Sequence, residues 1–140
     1  MKKLLIILLM AASFFSFFVQ SPCKVYKSTS TYSSDVLMNI QNGKIYKGNS
    51  SYSSDVLYTI RDGKVYKGNS SYSSDVVCTI RDGKMYKGNS TYSSDIICHL
   101  QDKKIYKGTS SYSSDVICNV DTDITIETFV AISHVISFVW

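Results

Sequence analysis

The sequence predicts an all-β protein with one C-terminal α-helix: five 20-residue β-hairpin repeats closed into a shallow antiparallel barrel of about ten strands, the helix plugging or capping the centre. Three observations carry that expectation. Nearly the same stretch, KVYKGNSSYSSDVVCTIRDG at Lys64, recurs with starts at Lys24, Lys44, Lys64, Lys84 and Lys104 and no insertion or deletion. Asp-Gly or Asn-Gly pairs flanked by strand formers punctuate the copies. After Asp123 the pattern changes to ITIETFVAISHVISFVW, apolar around most of a helical circumference. The chain divides accordingly into residues 1–22, 24–123 and 124–140.

The first segment has two lysines, then LLIILLMAASFFSFFV without charge, then a polar break at QSP. This is the layout of a secretory signal peptide with an uncertain cleavage point, and it predicts an exported protein. The apolar run is short for a membrane anchor, the competing reading. Cys23 follows Val-Gln-Ser-Pro, which lacks the small residue that lipidation requires just before the cysteine. Without Lys2 and Lys3, thirteen basic side chains face eleven acidic ones, a balance too weak for a nucleic-acid partner.

Within the repeats, Asn42-Gly43, Asp62-Gly63 and Asp82-Gly83 accept the positive φ angles of a two-residue hairpin turn. Asp102-Lys103 departs from the pattern and is expected to be strained. With Asp62-Gly63 as the loop, Arg61 faces Lys64, Ile60 faces Val65, Thr59 faces Tyr66 and Tyr58 faces Lys67. Simple alternation then puts Val56, Tyr58, Ile60 and Val65 on one side, the expected core, and Leu57, Thr59 and Tyr66 on the other. Between hairpins, GNSSYSSD is rich in residues that bond their own backbone, and reads as a wider turn. Stacking the copies as a parallel solenoid would align Asp35, Asp55, Asp75, Asp95 and Asp115 in one column, which like-charge repulsion disfavours. A ring of hairpins spaces them by two strands. In the tail, Thr125 is the expected N-cap and Glu127 complements the helix dipole. Burial inside the strand ring is the leading reading for this helix; the alternative is a membrane-anchored or membrane-active protein, with membrane contact through residues 124–140.

Hairpin repeats such as IRDGKVYKGNSSYSSDVV, behind a signal peptide and ahead of a short hydrophobic tail, resemble the bacterial five-fold β-flower proteins, themselves similar to tubby-like barrels. The resemblance covers most of the mature chain in layout. It implies an exported bacterial protein and carries no catalytic residues.

Five copies of Ser-Ser-Asp fit turn chemistry better than a catalytic centre, which needs one nucleophile and one base in a particular geometry. His99 occupies a slot filled elsewhere by Asn39, Thr59, Thr79 and Asn119, and His134 lies on the tail helix. One carboxylate per loop is few for Ca²⁺, and no CxxC spacing exists for zinc. No enzymatic activity, metal or cofactor is expected. Cys78, Cys98 and Cys118 share one repeat phase with Met38 and Tyr58, which suits a small buried apolar role. The candidate binding residues are the loop aromatics and amides: Tyr52, Tyr72, Tyr92, Tyr112, Asn49, Asn69 and Asn89. Rings of this kind stack on sugars while amides and hydroxyls bond their substituents, and neighbouring lysines attract anionic groups. The sequence thus points to a structural or binding module of the bacterial envelope with a glycan or another envelope component as partner.

Overall fold

The computed structural model describes residues 23–26, 32–120 and 123–136; the expected signal peptide lies outside them. Ten strands form one antiparallel sheet in chain order. They are β1 (Cys23–Tyr26), β2 (Val36–Gln41), β3 (Lys44–Lys47), β4 (Val56–Arg61), β5 (Lys64–Lys67), β6 (Val76–Arg81), β7 (Lys84–Lys87), β8 (Ile96–Gln101), β9 (Lys104–Lys107) and β10 (Val116–Asn119). Each strand pairs with the next, so the parallel solenoid is excluded. Among the described residues one α-helix, α1 (Ile126–Val135), follows β10.

The tight turns form where the dipeptides predict. Asn42 and Gly43 have φ of 52° and 69°, Asp62 and Gly63 52° and 73°, Asp82 and Gly83 51° and 71°, the left-handed pair whose twist matches an antiparallel hairpin. The register is the expected one: Tyr58↔Lys67, Thr59↔Tyr66, Ile60↔Val65 and Arg61↔Lys64. Asp102 and Lys103 keep the same turn at φ 49° and 59° without a glycine. Every turn also docks on the following copy. The Gly43, Gly63 and Gly83 carbonyls accept from the amides of Ile60, Ile80 and Leu100 at 2.7, 2.6 and 2.7 Å, and the Lys103 carbonyl accepts from Val120 at 2.8 Å.

Simple alternation fails at one point per repeat. Where β3 meets β4, Ile45 pairs with Tyr58 but Tyr46 pairs with Val56, and the same slip recurs at Val65/Tyr66 and Met85/Tyr86. These are β-bulges: one extra residue on the longer strand resets which side chains share a face. Tyr58 and Val65 go to the core as expected, with Ile60 packed against it. Val56 does not: it is buried outside the core cluster, whereas Leu57, Val77 and Ile97 pack against that cluster. The bulge exchanges the expected positions of residues 56 and 57.

The expected closure into a barrel is corrected. The sheet is open, with β1 and β10 as its two ends. The other pairings of a six-residue strand with the four-residue strand after it are held by two-residue turns, which bring partners together with little loop entropy. β10 and β1 share no such turn, and the chain leaves β10 to become α1 instead. Barrel closure also requires strand number, tilt and stagger to agree, a condition that local pairing does not enforce.

The expected plug or cap at the centre of a closed ring falls with the ring, but the helix does pack its apolar side chains on the open sheet. The Thr125 side chain accepts from the Thr128 amide at 3.2 Å, making it the N-cap, with Glu127 in the first turn. Phe129, Val130, Ala131 and Ser133 are buried, and the first three join the core with residues of β2 through β9. α1 touches β1, β2 and β3. It also reaches β4, where His134 Nδ1 lies 2.8 Å from the Tyr58 hydroxyl, and β8, where Ser133 Oγ lies 4.0 Å from Cys98 Sγ. In a flat sheet β4 and β8 would lie about 19 Å apart, so contact with both from adjacent helix residues requires the sheet to bend over the helix. The suggested membrane contact through residues 124–140 is overturned as well. The helix has ten residues, its central apolar side chains are already covered by the sheet, and among the described residues no helix is long and apolar enough to cross a membrane.

Candidate functional site

The site is built by the wide loops between copies. Each closes with a short 3₁₀ turn over Ser-Ser-Asp, at Ser33–Asp35, Ser53–Asp55, Ser73–Asp75, Ser93–Asp95 and Ser113–Asp115. Inside the loop a serine does two tasks. Ser70 Oγ donates to Asp75 Oδ2 at 2.5 Å and accepts from the Tyr72 amide at 3.1 Å. Ser50, Ser90 and Ser110 repeat the arrangement with Asp55, Asp95 and Asp115. The recurrent aspartates therefore serve the loop backbone, as their repetition suggests. Among the described residues no three His, Cys, Asp or Glu side chains gather to hold a metal ion.

A second set of bonds fastens each loop to its sheet. The slot shared by Asn39, Thr59, Thr79 and His99 supplies the donor. Thr59 and Thr79 hydroxyls donate to the Gly68 and Gly88 carbonyls at 2.7 and 2.8 Å, Asn39 Nδ2 to the Ser50 carbonyl at 3.0 Å, and His99 Nδ1 to the Gly108 carbonyl at 2.8 Å. Because a carbonyl only accepts, His99 carries its proton on Nδ1, and its ring stacks on Tyr106 at 5.2 Å. His99 is thus a loop anchor, a role that the polar substitutions in its slot foreshadow. Beside this set of anchors, Tyr66 and Tyr86 are buried outside the core cluster. The result is a second layer on the face away from α1.

A third set joins neighbouring loops. Asn69 Nδ2 donates to the Ser53 carbonyl at 3.2 Å and Asn89 Nδ2 to the Ser73 carbonyl at 2.9 Å, while Asn69 Oδ1 accepts from Lys44 Nζ at 2.8 Å. Asn69 and Asn89, put forward as ligand contacts, are placed as ties between successive loops. Asn49 stands exposed at the same phase.

What these bonds hold out is aromatic. Tyr52, Tyr72, Tyr92 and Tyr112 are 74, 73, 75 and 75% exposed, and Tyr32 joins them at 75%. Tyr32 was not among the residues singled out from sequence, although its phase within TYSSD marks it as equivalent. The five have nearly one backbone conformation, with φ between −76° and −82° and ψ between 140° and 143°. Lys47, Lys67, Lys87 and Lys107, which end the strands entering the loops, are exposed too.

The remaining chemistry-bearing groups lie elsewhere. Cys78 and Cys98 are free and fully buried in the core, Cys118 is half-buried and Cys23 exposed. Burial pushes both core thiols up, Cys98 to about 11, and for Cys78 the nearby Cys98 adds to the effect. They are packing residues, consistent with the Met and Tyr that replace them in other copies. Burial likewise lowers His134, which rests edge-on to Tyr58 at 5.3 Å. An open cleft lies at the Asp102-Lys103 turn, lined also by Leu100, Val120, Asp123 and Ile124. It joins no histidine or cysteine to those carboxylates.

Fold and site together define a repetitive β-sheet module, held by a buried helix, that displays a periodic row of tyrosines on serine-rich loops. A family model described as 6-fold beta flower protein matches residues 18–133, and the chain belongs to that family. The β-flower resemblance drawn from the hairpin repeats is thereby shown in its fold, and the matching family is described as six-fold. No curated protein and no solved structure matches the chain.

Proposed function

We propose that this chain is a non-enzymatic, exported module that binds glycans or anionic surface ligands of the bacterial envelope through its loop tyrosines. The observation that carries the reading is the equal display of five tyrosines at 73–75% exposure. Large rings left in water give up burial that would stabilise the fold, whereas ordered aromatic surface is what sugar recognition uses. The loops are bonded internally, to the sheet and to each other, so little ordering entropy remains to be lost on binding. Exposed lysines at the strand ends favour anionic versions of such ligands. Export is supported by the arrangement of Met1 to Gln20, a charged start followed by an uncharged apolar run.

The test is co-sedimentation of the full chain with insoluble cell-wall polysaccharides and with anionic vesicles, beside a variant carrying Tyr52→Ser, Tyr72→Ser, Tyr92→Ser and Tyr112→Ser. The substituted rings are exposed, so the variant should keep the wild-type circular dichroism spectrum. Binding by the wild type and its loss in the variant are expected. Failure of the wild type to sediment with any of these materials, or equal sedimentation of the variant, would sink the reading.

A further inference from the structure

Independently of what the tyrosines bind, we infer that the two ends of the sheet form an interface between copies of this chain, β10 of one copy pairing antiparallel with β1 of the next. The sheet alternates two kinds of strand. Each inner four-residue strand pairs through a tight turn with the six-residue strand before it and through a bulge with the strand after it. β1 has only the bulged pairing, with β2, and β10 has only the bulged pairing, with β9. What β1 lacks is therefore a strand of the β10 kind, and what β10 lacks is a strand of the β1 kind. The sequence agrees: Lys24-Val25-Tyr26-Lys27 repeats Lys64-Val65-Tyr66-Lys67, and Val116 to Cys118 stands in the phase of Val76 to Cys78.

Burial marks both edges as unfinished. Ile45, Val65, Met85 and Ile105 are fully buried, while Val25 in the same phase is half-buried. Cys78 and Cys98 are fully buried, while Cys118 is half-buried. Asn39, Thr79 and His99 are buried and bond a loop carbonyl, whereas Asn119 in their slot is exposed and, among the described residues, makes no such bond. Free edges are usually blunted by charge or by proline. Val116 to Val120 carries neither, and the lysine of β1 is no obstacle, since Lys44, Lys64, Lys84 and Lys104 hold its phase in paired strands. Within one copy the sheet stays open, so the strand that fits each edge comes from another copy. The contact joins unlike surfaces, and every added copy brings a further free end until the assembly closes on itself.

The register follows from the inner hairpins. Thr59↔Tyr66 and Ile60↔Val65 transfer to Asn119 opposite Tyr26 and Val120 opposite Val25. Directly opposed residues lie about 5 Å apart at Cα, within reach of a disulfide. Two full-length proteins test this, one with Asn119→Cys and the other with Tyr26→Cys, both also carrying Cys23→Ser and Cys118→Ser so that the remaining native thiols, Cys78 and Cys98, are buried. Mixed under mild oxidation, they are expected to give a covalent dimer that neither gives alone. Its yield should exceed by on the order of tenfold that obtained with Lys24→Cys in place of Tyr26→Cys, a position about 7 Å out of register. A protein carrying both Asn119→Cys and Tyr26→Cys should link into multimers. An internal bridge at monomer mass in that protein would show the two edges meeting within one copy, and would overturn the inference. Equal crosslinking at residue 24 would overturn it too, since association through the apolar run of Met1 to Gln20 would give that result. The unsubstituted chain supplies a second reading free of any variant: its average mass in sedimentation velocity should at least double on concentration, and a mass fixed at one copy would sink the interface while leaving envelope binding standing.

Discussion

Lys103 shows how a repeat can depart from its own rule. It occupies a left-handed position, φ 59°, that glycine fills in the three preceding turns. An L side chain there carries a steric penalty of about 1 kcal/mol, so Lys103→Gly should raise unfolding free energy by roughly that amount, read as a higher urea midpoint at unchanged m-value. The reverse change at Gly63 should be worse than loss of flexibility alone: an added Cβ would lie 2.7 Å from the Ile80 carbonyl oxygen, and Gly63→Ala should lower the midpoint. The core thiols give a pH-dependent outcome. Cys98 is raised from 9.0 to about 11 by burial, and Cys78 moves the same way. The folded state therefore holds these protons where the unfolded state releases them. Both contributions are intact below pH 9; that of Cys98 is lost as pH rises through about 11, and that of Cys78 is lost at higher pH still. Denaturant midpoints should fall across that window, less steeply in a Cys78→Ala, Cys98→Ala protein. Alkylation of the native protein at pH 8 should spare both residues.

At the scale of the element, α1 is stabilised by what it touches. Its ten residues make it too short to persist alone in water. The Thr125 cap supplies about 1 kcal/mol, but most of the stabilisation comes from Phe129, Val130 and Ala131 in the core. Phe129→Ala should destabilise the protein by about 3–5 kcal/mol, several times the effect of Thr125→Ala, in chemical denaturation of the two variants side by side. The loops show the complementary case, where polar bonds do the holding. One serine, one aspartate and one donor from the sheet recur in most copies, so a loop without a regular element keeps one shape. That shape is what makes four tyrosines picked from the sequence, and Tyr32 with them, equivalent in three dimensions.

At the scale of the whole molecule, the open sheet and the helix depend on each other. Residues from β2 to β9 share one apolar cluster with α1, so removing residues 124–140 should leave a chain that lacks a cooperative thermal transition and binds a hydrophobic dye. A folded, dye-free truncated sheet would show instead that the helix is an accessory. Acid should act on the same joint. Burial lowers His134, so the unfolded state takes up the proton more readily, and stability should decline as pH falls below the ordinary histidine value of 6.5. In His134→Gln that decline should shrink. Since Tyr58 and Ser133 lie beside the same helix end, the loss should appear first as weakened helix docking in hydrogen exchange.

Much of this protein was readable before any coordinates. Hairpin turns and their register follow from Asp-Gly and Asn-Gly because positive φ is a local requirement that few residues meet. The N-cap at Thr125 follows from the orphan amides of a helix start, and the loop role of Ser-Ser-Asp from its repetition. What escaped the sequence is non-local. The bulge that exchanges Val56 and Leu57 leaves no residue signature, because any strand residue can be the extra one. The loop-to-loop role of Asn69 and Asn89 depends on a neighbour sixteen residues away. Whether ten strands close is a property of their combined tilt and stagger, not of any copy, and here the sheet stays open and bends over the helix instead. Periodicity dictates each unit because its interactions are short-range; the number of units that meet, and what fills the space between them, is decided only when the whole chain packs.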